Sequence, residues 1–243
     1  MASSEDDRFQ PRPGAPKVRS GPRSRRFISQ VLKASSKSGA SGSGSRPAST
    51  FGRGRVAAVR AGHGLGPNAR RAIIKARYLV LKSAGAKAVA THLRYIERDG
   101  TTRDGQRGQA YGPDTDAADL QSFEKRGRGD RHQFRFIVSV EESPELEDLK
   151  GFTRQLMQRV QTDLETLLDW VAVDHWDTDN PHTHIVLRGR AGDGQNLVIA
   201  PDYMAHGMRK RASELATEWL GPRTELEMRK SLQREVDQER LTS

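Results

Sequence analysis

Ten residues of this 243-residue chain, His175-Trp176-Asp177-Thr178-Asp179-Asn180-Pro181-His182-Thr183-His184, hold three of its seven histidines together with two aspartates. On an extended strand, residues two apart point to one face, so the imidazoles of His182 and His184 can reach one ion while Thr183 faces away. The stretch from Thr178 to Pro181 consists of turn formers and can fold the chain back, so that His175, at the end of a preceding strand, becomes a third ligand. Three neutral nitrogens leave coordination positions open to substrate, the layout of a catalytic centre rather than of a closed structural site. There is no cysteine, which excludes thiolate ligands, disulfides and a cysteine nucleophile; any metal must be held by His, Asp or Glu. Ligand type favours zinc or another imidazole-binding ion, whereas phosphoryl-transfer chemistry favours magnesium or manganese held partly by the substrate.

The elements that position these residues can be read from periodicity. Ala72 to Leu81 (AIIKARYLVL) is an extended apolar run with β-branched and aromatic residues, a strand. Ala86 to Arg98 places Val89, Leu93 and Ile96 on one helical stripe, closed by Asp99-Gly100. At 100° per residue, Tyr95 lies about 130° from the centre of that stripe, so the core does not require its ring. Of the other tyrosines, Tyr78 falls inside the strand and Tyr111 and Tyr203 lie in or beside loops. Thr101 to Gly129 is a long Gly-rich connection with a brief helix around Ala117 to Glu124, and His132 to Val140 alternates as a second strand.

Ser143 as N-cap and Pro144 as first residue predict a helix carrying Leu149, Phe152, Leu156, Val160, Leu164 and Leu167. Trp170 to His175 and Thr183 to Arg190 read as strands, and Gly192-Asp193-Gly194 turns the chain into a short strand at Leu197 to Ala200. Asp202 to Leu220 is helical, with Met204, Met208, Ala212, Leu215 and Trp219 as its face; Gly221-Pro222 ends it, and a charged helix follows from Thr224 to about Arg240. The expected fold class is α+β, a central antiparallel-leaning sheet with packed helices over residues 71–243.

The net charge of +10 is unevenly placed: residues 1–70 hold 14 Lys plus Arg against 3 acids, leaving 27 against 28 for the rest. That segment, rich in Gly, Ser, Pro and Arg, reads as a disordered basic tail able to attract phosphates without regard to sequence. No stretch approaches the roughly 18 apolar residues of a membrane span, and the acidic start at Glu5, Asp6 and Asp7 is no signal peptide. A soluble cytoplasmic protein, without membrane insertion, is expected.

The run from His175 to His184, spelled H-x-D-x-D-x-P-H-x-H and followed by apolar residues, resembles the third motif of conjugative relaxases of the MobP type. That group contains the border endonuclease that starts T-DNA transfer, and belongs to the His-hydrophobic-His endonucleases. Thr183 departs mildly from the hydrophobic residue usual between the histidines. Leu93-Arg94-Tyr95-Ile96-Glu97-Arg98-Asp99-Gly100 is similar to the first motif, and His132 to Ser139 takes the place of the second. The resemblance covers about Ala72 to Arg190.

The resemblance implies a relaxase that nicks and rejoins single-stranded DNA at a transfer origin. Tyr95 would be the nucleophile, giving a 5'-phosphotyrosine link and a free 3'-hydroxyl. One divalent metal ion would sit on His175, His182 and His184, with His175 alternatively the base. Asp177 is expected as base or as orienter of a ligand histidine. His132 and Ser139 could contact the scissile phosphate or be ordinary strand-end polar residues; Arg188 and Arg190, in the strand parity of His182 and His184, are expected to clamp backbone phosphates. Accessory proteins of a relaxosome, a type IV secretion coupling protein, a bacterial cytoplasm and export attached to DNA are implied partners and places. Three other readings stay open: a rolling-circle replication initiator of the same superfamily, a non-catalytic DNA-binding protein with a structural metal site, and a zinc hydrolase. The last lacks a His-Glu-x-x-His helix.

Overall fold

The computed structural model describes residues 52–61, 65–81, 85–141, 145–178, 180–229 and 231–233. The unit Pro47–Thr224 contains helix α1 (Arg55–Ala61), strand β1 (Ala72–Val80), helices α2 (Gly85–Arg98) and α3 (Leu120–Gly127), strand β2 (His132–Val140), helix α4 (Leu149–Leu164), strands β3 (Leu168–His175) and β4 (His182–Ala191), and helix α5 (Met208–Leu220). A π-helical turn, Tyr203–Gly207, leads into α5. A second unit comprises Met1–Arg46 and Glu225–Ser243, of which residues 225–229 and 231–233 are described, as helix; the remainder of the charged C-terminal helix expected to Arg240 lies outside the described residues.

The four strands form one sheet in the order β1-β2-β4-β3, every pair antiparallel. This is an α+β architecture, and each face of the sheet has its own helices. On one face Phe134, Phe136, Val138, Trp170, Ala172, Ile185 and Leu187 pack against Phe152, Leu156 and Val160 of α4 and Met208, Ala212 and Leu215 of α5. On the other, Val171, Val173 and Val186 pack beneath Val89, Leu93 and Ile96 of α2 and Phe123 of α3. The expected α2 stripe is therefore the buried one, and Tyr95, off it, is 43% exposed. The second cluster touches β3 and β4 only, so the other half of this face, carried by β1 and β2, has no apolar helix above it among the described residues.

Several local expectations change. Helix α4 begins at Leu149, where the Asp148 carboxylate accepts from Gly151 N–H at 2.8 Å and caps it; the expected cap, Ser143, and Pro144 lie outside the described residues. It ends at Leu164 because Glu165 adopts a left-handed φ of 52°, which carries Leu167 out of the helix to 71% exposure. Helix α3 starts three residues later than Ala117, since Asp119 is the residue able to cap Gln121 and Ser122. Leu197 to Ala200 is not a strand: the chain there makes single bridges, Arg190 with Asn196 and Arg53 with Ile199.

Part of the stretch expected to be a disordered tail is folded structure. Arg53 donates its N–H to Val198 O at 2.6 Å and accepts from Ala200 N–H at 3.0 Å, and Ala57 and Ala58 of α1 pack against the core. Gly54, with φ +82°, passes so near Leu164 and Tyr203 that a Cβ would lie 2.8 and 2.9 Å from them. Arg70 is buried, its guanidinium donating to Gly221 O at 3.0 Å and Leu220 O at 3.2 Å. Composition missed this because the segment contributes backbone hydrogen bonds and small side chains rather than large apolar ones. Residues 1–51 lie outside the described residues. Among the described residues no helix is long and apolar enough to cross a membrane.

The burial pattern sets a contrast within α4 and the loop after it. Leu156→Ala, at a position with no exposure, is expected to lower unfolding free energy by about 2–5 kcal/mol, whereas Leu167→Ala should change it by less than about 0.5 kcal/mol; urea titration of both variants measures the difference.

Candidate metal centre

The last residue of β3, His175, pairs directly with the first residue of β4, His182, and His184 pairs with Val173. Directly opposed residues of an antiparallel pair share a face, and so do residues two apart, so all three imidazoles stand on the α2 side of the sheet. Their ring centroids are 5.2 Å (His175 to His182), 4.6 Å (His175 to His184) and 5.1 Å (His182 to His184) apart. One nitrogen from each lies within 4.8 Å of the others, so the cluster could hold a metal ion.

Backbone carbonyls choose which nitrogen is available. A carbonyl only accepts, so His175 donates through Nε2 to Ile96 O at 3.1 Å and keeps Nδ1 as its lone-pair nitrogen. His182 donates through Nδ1 to Asn180 O at 2.9 Å and keeps Nε2, which faces His184 Nε2 at 3.2 Å. Holding one ring N–H on a carbonyl while the other nitrogen ligates is the usual support of a metal-bound histidine. Burial pushes the pKa of His175 and of His182 below the ordinary 6.5, His182 adding to the effect on His175. Burial, then His175, His182 and His92, push His184 down to about 2. The cluster is thus three neutral imidazoles, the protonation state that binds a cation.

On the opposite face, a buried polar chain fastens the same two strands. Thr183 is 1% exposed and donates to Asp174 Oδ1 at 2.7 Å, the Tyr111 hydroxyl donates to the same oxygen at 2.7 Å, and Thr153 meets Thr183 at 3.3 Å. Burial raises the pKa of Asp174, and burial together with Asp174 raises that of Tyr111. The threonine standing where an apolar residue was expected between the histidines is therefore a hydrogen-bonding residue that ties β4 to β3 beside both ligands.

A loop closes over the strand ends. Gly108 N–H donates to Gly100 O at 2.7 Å and Thr101 N–H to Asp174 O at 3.0 Å. A Cβ on Gly108 would come within 2.8 Å of Gly100 Cα, so two glycines are needed where these backbones cross. The crossing delivers the Thr101 hydroxyl to the turn after His175: it accepts from Trp176 N–H at 2.9 Å and Asp177 N–H at 3.0 Å and donates to Asp177 Oδ1 at 2.9 Å. Thr101 thus holds one oxygen of the exposed Asp177 carboxylate. His175 and His182 hydrogen-bond to the carbonyls of Ile96 and Asn180, and the charge of Asp177 acts on both.

Tyr95 precedes Ile96, whose carbonyl receives His175, so α2 is anchored to the cluster one residue from the tyrosine. The Arg98 guanidinium lies 5.4 Å over the Tyr95 ring and donates to Asp99 at 2.7 and 3.3 Å. Arg98, ahead of the Tyr95 hydroxyl, holds the Asp99 carboxyl below the usual range. His92 and Asp99 were missed by sequence reasoning; their signal was spacing, three residues before and four after Tyr95.

Ser139 pairs with His182, and its buried hydroxyl donates to Pro181 O at 3.2 Å, so it braces the turn entering β4. The remaining expected substrate contacts are elsewhere. Arg188 pairs with Gln133, four residues or about 14 Å along β4 from His184, and is bound at 2.9 and 3.0 Å by Asp130 and at 2.9 Å by Asp169. Arg190 donates to Gly194 O at 2.8 Å and Gly129 O at 3.2 Å and also meets Asp130. His132 is buried at the far end of β2, its Nε2 at 2.7 Å from Leu197 O and its ring against Tyr78 and Phe134. Strand parity placed the arginines on the correct face but could not reveal that Asp130 and Asp169 neutralise them. Comparison of the chain with models of known protein families and with curated proteins gives no match.

Two outcomes follow from this geometry. Asp130 is 2% exposed at its side chain, and Asp130→Ala, which leaves Arg188 short of its main counter-charge, should cost about 3–5 kcal/mol in urea unfolding. The folded histidines titrate below the ordinary 6.5, so below that pH the unfolded chain binds more protons and stability falls. Measured in EDTA, unfolding free energy should decline from about pH 6.5 downward, and His184→Gln should flatten that decline; an unchanged slope would exclude the neutral cluster.

Proposed function

We propose that this chain is a metal-dependent DNA strand transferase of the relaxase kind, which nicks and rejoins single-stranded DNA at a transfer origin through Tyr95. The observation that carries the reading is the anchoring of α2 to the three-imidazole cluster by the His175–Ile96 hydrogen bond, which sets a half-exposed tyrosine beside a site fit for a cation. His175, His182 and His184 would hold the ion, zinc by ligand type or magnesium or manganese by reaction class. When bound, it would supply Lewis-acid polarisation of the non-bridging phosphate oxygens.

The chain's own residues account for the rest. The Tyr95 oxygen attacks phosphorus; a tyrosyl O–P bond forms and the P–O3' bond breaks, so the DNA leaves with a free 3'-hydroxyl and a 5'-phosphotyrosine. The phenolic proton goes to the Asp99 carboxylate and from there to the departing 3'-oxygen, a role given to Asp99 because its carboxylate meets the Tyr95 hydroxyl. Arg98, over the ring, favours the phenolate as charge develops. The tyrosyl ester conserves the energy of the broken bond, so attack by the 3'-hydroxyl in reverse reseals the strand.

Incubation with single-stranded transfer-origin oligonucleotides and zinc, manganese or magnesium, followed by a denaturing gel, should reveal a covalent protein–DNA adduct that EDTA prevents. Tyr95→Phe should abolish it with the circular dichroism spectrum retained, and Asp99→Asn should slow it by about 10²–10⁴-fold. An adduct formed by Tyr95→Phe would remove the tyrosine from the mechanism, and no adduct with any of the three ions would remove the enzyme.

A further inference from the structure

The half of the sheet face that α2 and α3 leave open carries two like charges in direct opposition. Arg77 of β1 stands directly opposite Arg135 of β2 in the antiparallel ladder. Like charges in directly opposed positions repel and cost stability. Among the described residues neither has a carboxylate partner: Arg135 lies beside the neutral side-chain amide of Gln133, and Arg77 is exposed. Burial and the facing Arg77 together lower the Arg135 pKa to about 10, a measure of how poorly the charge is compensated. The arginines near the other end of β4 have carboxylates built against them, so the lack of one here is a local feature of this face.

The pair is in line with the metal centre. Lys75 pairs with Ile137, Ile137 with His184, and Ile73 and His182 flank Ser139 on either side. Residues 73, 75 and 77 of β1, and 135, 137 and 139 of β2, share the face of His182 and His184 by strand parity. Lys75 is close enough for its charge to act on His182. Arg135 is one strand across and two residues along from His184, about 8 Å between backbones. Interleaved with the cations are Ile73, 38% exposed, and the half-buried Leu79 and Ile137. A surface that alternates cations with apolar side chains matches a single strand, which offers phosphates and unpaired bases together, better than a duplex, which offers phosphates alone.

We infer that Arg77 and Arg135, with Lys75, form a phosphate cradle that lays a single nucleic-acid strand across β1 and β2 toward the histidine cluster. The direction of the strand rests on the proposed function; the cradle itself does not. A bound phosphate supplies the counter-charge that the chain withholds, so the cost of the arginine pair is relieved on binding. The cradle takes over the task expected of Arg188 and Arg190, which are neutralised within the fold.

The test is fluorescence anisotropy of a labelled single-stranded oligonucleotide with the full chain in EDTA, on a Tyr95→Phe background so that no covalent step enters. Wild type and variants share the basic N-terminal segment, so differences report the cradle. Arg77→Gln/Arg135→Gln should weaken binding several-fold and make the slope of log K against log salt shallower by about 1.4, two phosphates at about 0.7 each. Arg77→Glu sets a carboxylate opposite Arg135; it should raise the melting temperature while weakening binding, which separates loss of the cradle from loss of the fold. Unchanged affinity and slope in the double variant would overturn the inference, as would a melting temperature lowered by Arg77→Glu, or a duplex of equal length losing as much as the single strand. Because binding is read without metal or Tyr95, failure to form an adduct would overturn the proposed function and leave this result standing.

Discussion

The direct pairing of His175 with His182 is the constraint on which the rest of the site depends. Side chains alternate along a strand, so a slip of one residue would send two of the three imidazoles to the opposite face. The register is held from that opposite face, where Thr183 and Asp174, one residue inside each strand end, are joined by a 2.7 Å hydrogen bond that Tyr111 completes. The residues that fix the ligands are thus not neighbours of the ligand atoms; they act through the backbone of the ladder. Burial strengthens this control, because a largely buried Asp174 carboxyl deprived of either hydroxyl would be left under-satisfied.

A second tie sets the helix against the sheet. The Ile96 carbonyl accepts from His175, which selects the histidine tautomer and at the same time fixes the rotation of α2. Leu93 and Ile96, both essentially unexposed, bury the stripe beneath. Tyr95, Arg98 and Asp99 are carried on the remaining side of that rotation, and the Gly100–Gly108 crossing turns the chain sharply enough to return Thr101 to the cluster. One hydrogen bond therefore links the protonation state of a ligand to the placement of a helix.

Charge in this protein is sorted by partner rather than by amount. Arg188, Arg190 and Arg211 are all basic residues on or beside the core, and each has a carboxylate built against it, Asp130, Asp169 or Asp163. Arg77 and Arg135 have each other. For the half-buried Arg135 a charge without a counter-ion is costly. The net charge of +10 describes neither case, because the sum does not distinguish a neutralised guanidinium from an uncompensated one.

The alternating histidines, the turn before them, the amphipathic stripe of α2 and the order of elements from β1 to β4 were legible in the sequence, because each depends on contacts a few residues apart and leaves a period of two or of 3.6. What ended α4 at Leu164 was a left-handed Glu165, and what ordered Arg53 to Ala58 was backbone bonding to Val198 and Ala200 and close packing at Gly54; neither leaves a hydrophobic period. Arg188 and Arg190 show the limit most plainly. Parity put them on the ligand face, but whether an arginine there is available depends on an aspartate some 60 residues away in the chain at Asp130, 2.9 Å from Arg188. The same holds for Arg77 opposite Arg135 and for Thr183 beneath Asp174. The residue types that could bind an ion were determined by the sequence alone. Which of their nitrogens face inward, which cations stay uncompensated and which carboxylate meets the tyrosine were decided by strand register and helix rotation, since hydrogen bonds and ion pairs act over a few ångströms between groups that only the tertiary fold brings together.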